Sequence, residues 1–139
     1  MRAASAVLDT NVIVSALLKA EGREALILDL AVCRRFSLAV SEPLLEEYEG
    51  VLRRPRFGFD PQEVARSLRA IRGVAAVVEP RERLNVARDP DDNMILECAV
   101  EAGSEFVVTG NTRHFPARFR RLQVLPPRQF LIVLAARLE

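Results

Sequence analysis

Short apolar, β-rich runs alternate along this chain with longer segments in which apolar residues recur at helical spacing. The short runs, Ala6–Leu8, Phe36–Val40, Val74–Val78, Phe106–Thr109 and Leu122–Leu125, each predict a strand. Between them the spacing predicts helices over Val12–Leu18, Arg23–Arg34, Pro43–Arg53, Pro61–Arg72, Pro90–Ala102 and Pro127–Leu138. This alternation is the mark of βαβ units, so an α/β fold on a mostly parallel sheet is expected. Boundary signals agree with it. Asp60-Pro61-Gln62-Glu63 reads as a capping box with Pro in the first turn, and Gly103 stops the fifth helix.

Open parallel sheets bind ligands beyond the carboxyl ends of their strands. Polar residues just past a predicted strand are therefore site candidates. Asp9 ends the first strand, Asn111 follows the fourth in Val107-Val108-Thr109-Gly110-Asn111, and Asp89-Pro90-Asp91-Asp92 opens the fifth helix. Helix capping alone would account for Asp9 and Asp89, and an Asp in a first turn also complements the helix dipole. Yet three acids within four residues repel one another unless a cation or strong donors neutralise them. On the third helix the apolar stripe is Leu44, Leu45, Tyr48, Val51 and Leu52. At about 100° per residue, Glu46 points away from that stripe, whereas Glu47 and Glu49 flank it. A flanking Glu either belongs to a solvated face or reaches across the core's edge into a cleft.

Carboxylates gathered from separate elements suit hard, oxygen-preferring cations such as Mg²⁺ or Mn²⁺. Such ions generate a hydroxide nucleophile and stabilise the oxygens of a phosphate displacement without a catalytic Ser or His. The single His, His114, and the lack of a triad-like arrangement are consistent with that chemistry.

Length and composition narrow the picture. With 139 residues, half of them apolar and 28% charged, the chain is expected to form one domain over residues 1–139 with a packed core. Asp9 and Asn11 interrupt the apolar N-terminal run and argue against a signal peptide, and Phe130–Ala136 is too short for a membrane span. A cytoplasmic protein with no membrane partner is expected. Cys33 and Cys98 have no metal-ligand or CxxC spacing and are expected to be reduced core thiols. The net charge of +1 gives no global nucleic-acid signature. Local clusters at Arg53-Arg54-Arg56, Arg81-Arg83 and Arg118-Arg120-Arg121 read either as phosphate contacts or as solvated helix ends. The few Phe residues sit mostly in apolar patterns, which gives base stacking little support.

In four places the chain resembles the PIN-domain family, specifically its toxin-like branch related to VapC. The matching pieces are Val7-Leu8-Asp9-Thr10-Asn11-Val12, Ser41 with Glu47, Asp89-Pro90-Asp91-Asp92-Asn93 with Ile95 and Ala99, and Val108-Thr109-Gly110-Asn111. The resemblance implies a three-layer α/β/α sandwich around a mostly parallel sheet of about five strands, with acids at its carboxyl edge binding Mg²⁺ or Mn²⁺. It makes Asp9, Glu47 and Asp92 the metal ligands and places Asn111 at a fourth catalytic position that is usually Asp. Asn11 and Thr109 fall at supporting polar positions, and Arg113 and His114, just past the fourth, are candidates for substrate contact. With Asn111 the site loses a negative charge, so one firm cation and a weakened second are expected. The implied activity is a divalent-metal-dependent endoribonuclease, the toxin of a type II toxin–antitoxin pair, with an RNA substrate, a small antitoxin partner and a homodimeric state.

Two other readings fit parts of the pattern. A PIN-fold nucleic-acid-binding or interaction module with weakened catalysis would explain Asn111. An Asp-nucleophile phosphatase or phospho-acceptor domain would also place Asp after a strand. The phosphatase expects a second Asp where Asn11 stands, and both normally use a Lys; Lys19, the one Lys, lies ten residues on, about 15 Å along a helix.

Overall fold

The computed structural model describes residues 3–137. Its strands are β1 (Ser5–Leu8), β2 (Ser37–Ser41), β3 (Ala76–Val78), β4 (Phe106–Val108), β5 (Arg118–Phe119) and β6 (Leu122–Leu125). Its α-helices are α1 (Thr10–Leu18), α2 (Arg23–Val32), α3 (Glu42–Leu52), α4 (Pro61–Val74), α5 (Pro90–Ala102) and α6 (Pro127–Arg137). One sheet holds all six strands in the order β3-β2-β1-β4-β6-β5. Every pairing is parallel except that of β5 with β6.

β1, β4 and most of β2 are buried apolar runs, as strands covered on both faces require. α5 lies against β1, β2, β3 and β4, while α2 packs on α1, α4 and α6. The chain moves one way across the sheet from β1 to β3 and then returns to β4, so right-handed crossovers put α5 on the face opposite α1 and α2. The three-layer α/β/α sandwich follows. An edge-to-face cluster of Phe36, Phe106 and Phe130 ties α6 to the amino ends of β2 and β4.

Several expectations change in detail. The sheet has six strands rather than about five, because Arg118–Phe119 pairs antiparallel with β6 through a turn at Arg120, which has φ 56°. α4 continues through Val74, so β3 begins only at Ala76. α2 stops at Val32, and Arg34 follows with φ 59°. Thr109 lies just past β4, and Leu138, the expected end of α6, falls outside the described residues. Cys98 is a buried thiol as expected, but Cys33 is exposed at the end of α2, where the helix turns away from the core. Among the described residues no helix is long and apolar enough to cross a membrane.

The topology fixes one special place. From β1 the chain first builds outward to β2 and β3, and only later adds β4 on the other side of β1. The crevice between the carboxyl ends of β1 and β4 is the switch point at which such sheets take ligands.

Candidate active site at the switch point

Asp9 stands at this crevice because α1 starts immediately after it, leaving no loop between β1 and the helix. Its backbone N–H continues the ladder to the Val108 carbonyl at 2.9 Å. Asp9 occupies the N-cap position of α1, yet its side chain makes no cap hydrogen bond. Instead Oδ2 accepts from the Thr109 hydroxyl at 2.7 Å and from the Asn11 amide at 3.2 Å. Its carboxylate thus has its firm side-chain partners across the crevice, at Thr109 just past β4 and at Asn11, while the Thr10 and Asn11 N–H groups at the start of α1 also help to hold its charge.

Two further bonds fix that orientation. Thr109 Oγ1 accepts from the Asn111 N–H at 3.0 Å, which leaves its own proton directed at Asp9. Asn11 Oδ1 accepts from the Gly110 N–H at 3.1 Å, so the Asn11 amide spans the crevice. Burial raises the Asp9 pKa, and the Thr109 hydrogen bond opposes that shift.

Asp92 arrives from α5. Asp89 caps that helix by accepting from the Asp91 N–H at 2.9 Å, Pro90 opens it, and Gly103 closes it in the left-handed conformation with φ 65°. This phase turns Asp92 inward, where it is buried, and leaves Asp91 exposed. Burial, then the neighbouring charges of Asp9 and Asp89, push the Asp92 carboxyl from 3.8 up to about 6. His114 Nδ1 approaches Asp92 Oδ2 to 3.7 Å.

Glu47 comes from α3, whose start is fixed by Ser41 accepting from the Leu44 N–H at 3.2 Å. Tyr48, fully buried beside it, donates its hydroxyl to the Leu8 carbonyl and locks α3 to the end of β1. Glu47 is half-buried and accepts from the Thr10 hydroxyl at 3.3 Å. Its pKa is raised, first by burial and then by Asp91. Glu46 and Glu49 are exposed, and Glu49 pairs with Arg53 at 2.9 Å.

Asp9, Glu47 and Asp92 are thus brought to one edge, near enough for the charge of Asp9 to raise the proton affinity of both partners. Asn111 is exposed just beyond them, on the approach to a 3-10 turn over Thr112–His114. Arg113 and His114 lie on the wall of a cavity of about 780 Å³ that also contains Asp92 and Arg88. Thr10 and Arg88 were not among the expected site residues. Thr10 sat unremarked inside the first motif, and nothing in the sequence marked Arg88.

The donor set is all oxygen and electrostatically strained, which fits a hard divalent cation. Among the described residues no three of these groups converge into a ready cage. Mg²⁺ seldom needs one, since it binds through one or two carboxylates and keeps several waters. Asp9 and Asp92 would hold such an ion, with Glu47 and the Asn111 carbonyl at its edge.

Comparison with known proteins agrees with the topology. A sequence profile of the PIN domain matches residues 5–113. The uncharacterized protein MJ1680 of Methanocaldococcus jannaschii is 30% identical over 108 residues, 76% of this chain and 69% of that protein. PAE2754 from Pyrobaculum aerophilum shares the fold with a TM-score of 0.64 at 20% identity, over 96% of this chain and 90% of that one. A chain of VapBC2 from Rickettsia felis, solved bound to a DNA fragment from its promoter, aligns with a TM-score of 0.59 at 18% identity, over 88% of this chain and 98% of that one. The profile match over most of the chain displaces the phosphatase and phospho-acceptor readings: this chain belongs to the PIN-domain family.

Proposed function

We infer that the protein is a divalent-metal-dependent endoribonuclease. PIN domains are in general nucleases that use divalent metal ions. The observation that supports this activity here is the buried pair Asp9 and Asp92, drawn from different elements, with proton affinities raised by burial and, at Asp92, by Asp9 as well. A cation bound there supplies a Lewis acid and an activated water for phosphodiester hydrolysis. The chain's own groups do the rest. Thr109 and Asn11 hold the Asp9 carboxylate in one orientation, Thr10 steadies Glu47, and Arg113 and His114 face the substrate from the neighbouring cavity wall.

The exposed amide of Asn111 favours one firm cation and a weak second, since two close cations need several carboxylates to offset their repulsion. The same amide is the argument for a binding module with weakened catalysis. The likeness to VapBC2 in fold, together with the order of the motifs, supports a toxin acting with a small antitoxin.

The test is cleavage of a structured and a single-stranded RNA in Mn²⁺ or Mg²⁺, with and without chelator. Asp9→Asn and Asp92→Asn should lose most activity while remaining folded, with Asp92→Asn melting no lower than the parent at neutral pH, while Asn111→Asp should tighten a second Mn²⁺ in titration. Equal cleavage by the parent and both Asp variants would identify a contaminant and end the assignment. RNA binding without cleavage would leave the module reading in its place.

A further inference from the structure

Another cavity, of about 390 Å³, lies beside Glu47 and shares no lining residue with the one at Arg113 and His114. Thr10, Asn11, Glu47 and Asp91 line it together with Arg54, Arg56 and Phe57, so the two arginines stand against two carboxylates there. Sequence pattern assigned Phe57 no role. The local fold gives it one. After α3 a 3-10 turn over Pro55–Phe57 ends at Gly58 in the left-handed conformation, φ 63°, which turns the chain so that Phe59 stacks on Phe57. The rings are 5.6 Å apart and 13° from parallel. The Arg56 guanidinium lies 4.7 Å from the Phe57 centroid. Phe59 and Arg56 thus both stack on the Phe57 ring, so the flat surface offered to the cavity is the exposed Arg56 guanidinium backed by that ring, and Arg54 is near enough to lower the Glu47 proton affinity.

Flat aromatic and guanidinium surfaces bind unpaired bases, and arginines beside them bind the intervening phosphates. A paired base keeps its faces inside a duplex and cannot use such a surface. We propose that the Arg54–Arg56–Phe57 cavity is a nucleotide subsite that stacks one unpaired base and holds its phosphate, on a single strand that crosses the acids toward Arg88, Arg113 and His114. This rests on the nuclease reading and specifies its substrate as single-stranded at the side nearest Glu47. The cluster at Arg118, Arg120 and Arg121 takes no part. It precedes the amino end of β6, whereas the acids sit at the carboxyl ends of strands parallel to it, and Arg120 pairs with Glu82.

The chain has no Trp, so Phe57→Trp places one reporter in this cavity. Binding of a labelled single-stranded oligoribonucleotide is measured in chelator, where cleavage does not intervene. The Phe57→Trp emission should be quenched by that strand and remain unchanged with an abasic strand of equal length. Arg54→Ala and Arg56→Ala should each lower the slope of log affinity against log salt by about 0.7, the value for one phosphate contact on a single strand. Phe57→Leu should weaken binding on the order of tenfold with that slope unchanged, and Arg121→Ala should do neither. Melting curves exclude misfolded variants. The subsite is overturned if the parent does not bind the strand, if Phe57→Trp emission ignores a bound strand, or if Arg121→Ala loses as much as Arg54→Ala. Binding that follows this pattern without cleavage in Mn²⁺ would overturn the nuclease reading and leave the subsite intact.

Discussion

Asp92 joins burial to repulsion, and its titration carries a signature. Its pKa is raised from 3.8 to about 6, so the fold favours the protonated acid. The resulting stability is fully present below the unfolded value, near 3.9, and is lost as pH rises through about 6. Asp9 and Glu47 shift in the same direction and add to it. Metal-free protein should therefore melt at a higher temperature at pH 5 than at pH 7.5, and Asp92→Asn should flatten most of that difference. An unchanged pH trend in Asp92→Asn would show that the strain resides elsewhere. Because a cation must displace the same proton, Mn²⁺ affinity should climb until about pH 6 and then level off.

The segment between β3 and α5 has little regular structure and is held by α5 itself. Asn93 Oδ1 accepts from the Val86 and Ala87 N–H groups at 3.0 and 2.8 Å, and its amide donates to the Ala87 carbonyl at 2.9 Å. Glu97 accepts from the Leu84 N–H at 2.8 Å. The segment is the wall of the cavity beside Asp92, so Asn93 supports the site from behind. Asn93→Ala strands these partly buried backbone groups and should cost roughly 2–4 kcal/mol, with faster amide exchange at Val86 and Ala87. Arg83→Ala, which removes an exposed guanidinium from a mostly buried Glu97 that keeps its Leu84 bond, should cost less, about 1 kcal/mol or under. Equal losses from the two would refute the anchoring role. Elements of this molecule differ in how plainly sequence declares them. β1 and β4 are readable because burial makes them nearly continuous apolar runs, and β6 because Leu122, Val124 and Leu125 stay buried around Gln123. β5 is two residues long, and its pairing depends on a turn at Arg120 that no residue preference announces. Asp9, Glu47 and Asp92 stand in recognisable motifs. Asn93, also in a motif, carries no sign that it binds Val86 and Ala87, and Phe57 none that it borders Glu47, because those roles come from contacts between elements.

Across the whole molecule, the large apolar side chains left exposed include Leu26 and Val32 on α2 and Ile132 on α6, helices that touch one another. α4, by contrast, turns Val64 and Ile71 inward and shows no large exposed apolar residue among those described. We propose that the homodimer implied by the family resemblance forms through α2 and α6. Light scattering at tens of micromolar should give twice the chain mass, and Leu26→Glu with Ile132→Glu should return it to one. A monomeric parent would refute the pairing. The central strand has a different consequence. β1 is made first, yet the Asp9 carboxylate acquires its partner only when Thr109 is in place, 100 residues later. A ribosome must therefore add those 100 residues before this edge can close, and an incomplete chain ending before β4 carries Asp9, Glu47 and Asp92 without the strand that aligns them. Translation order thus withholds the assembled centre from every nascent fragment that ends before β4.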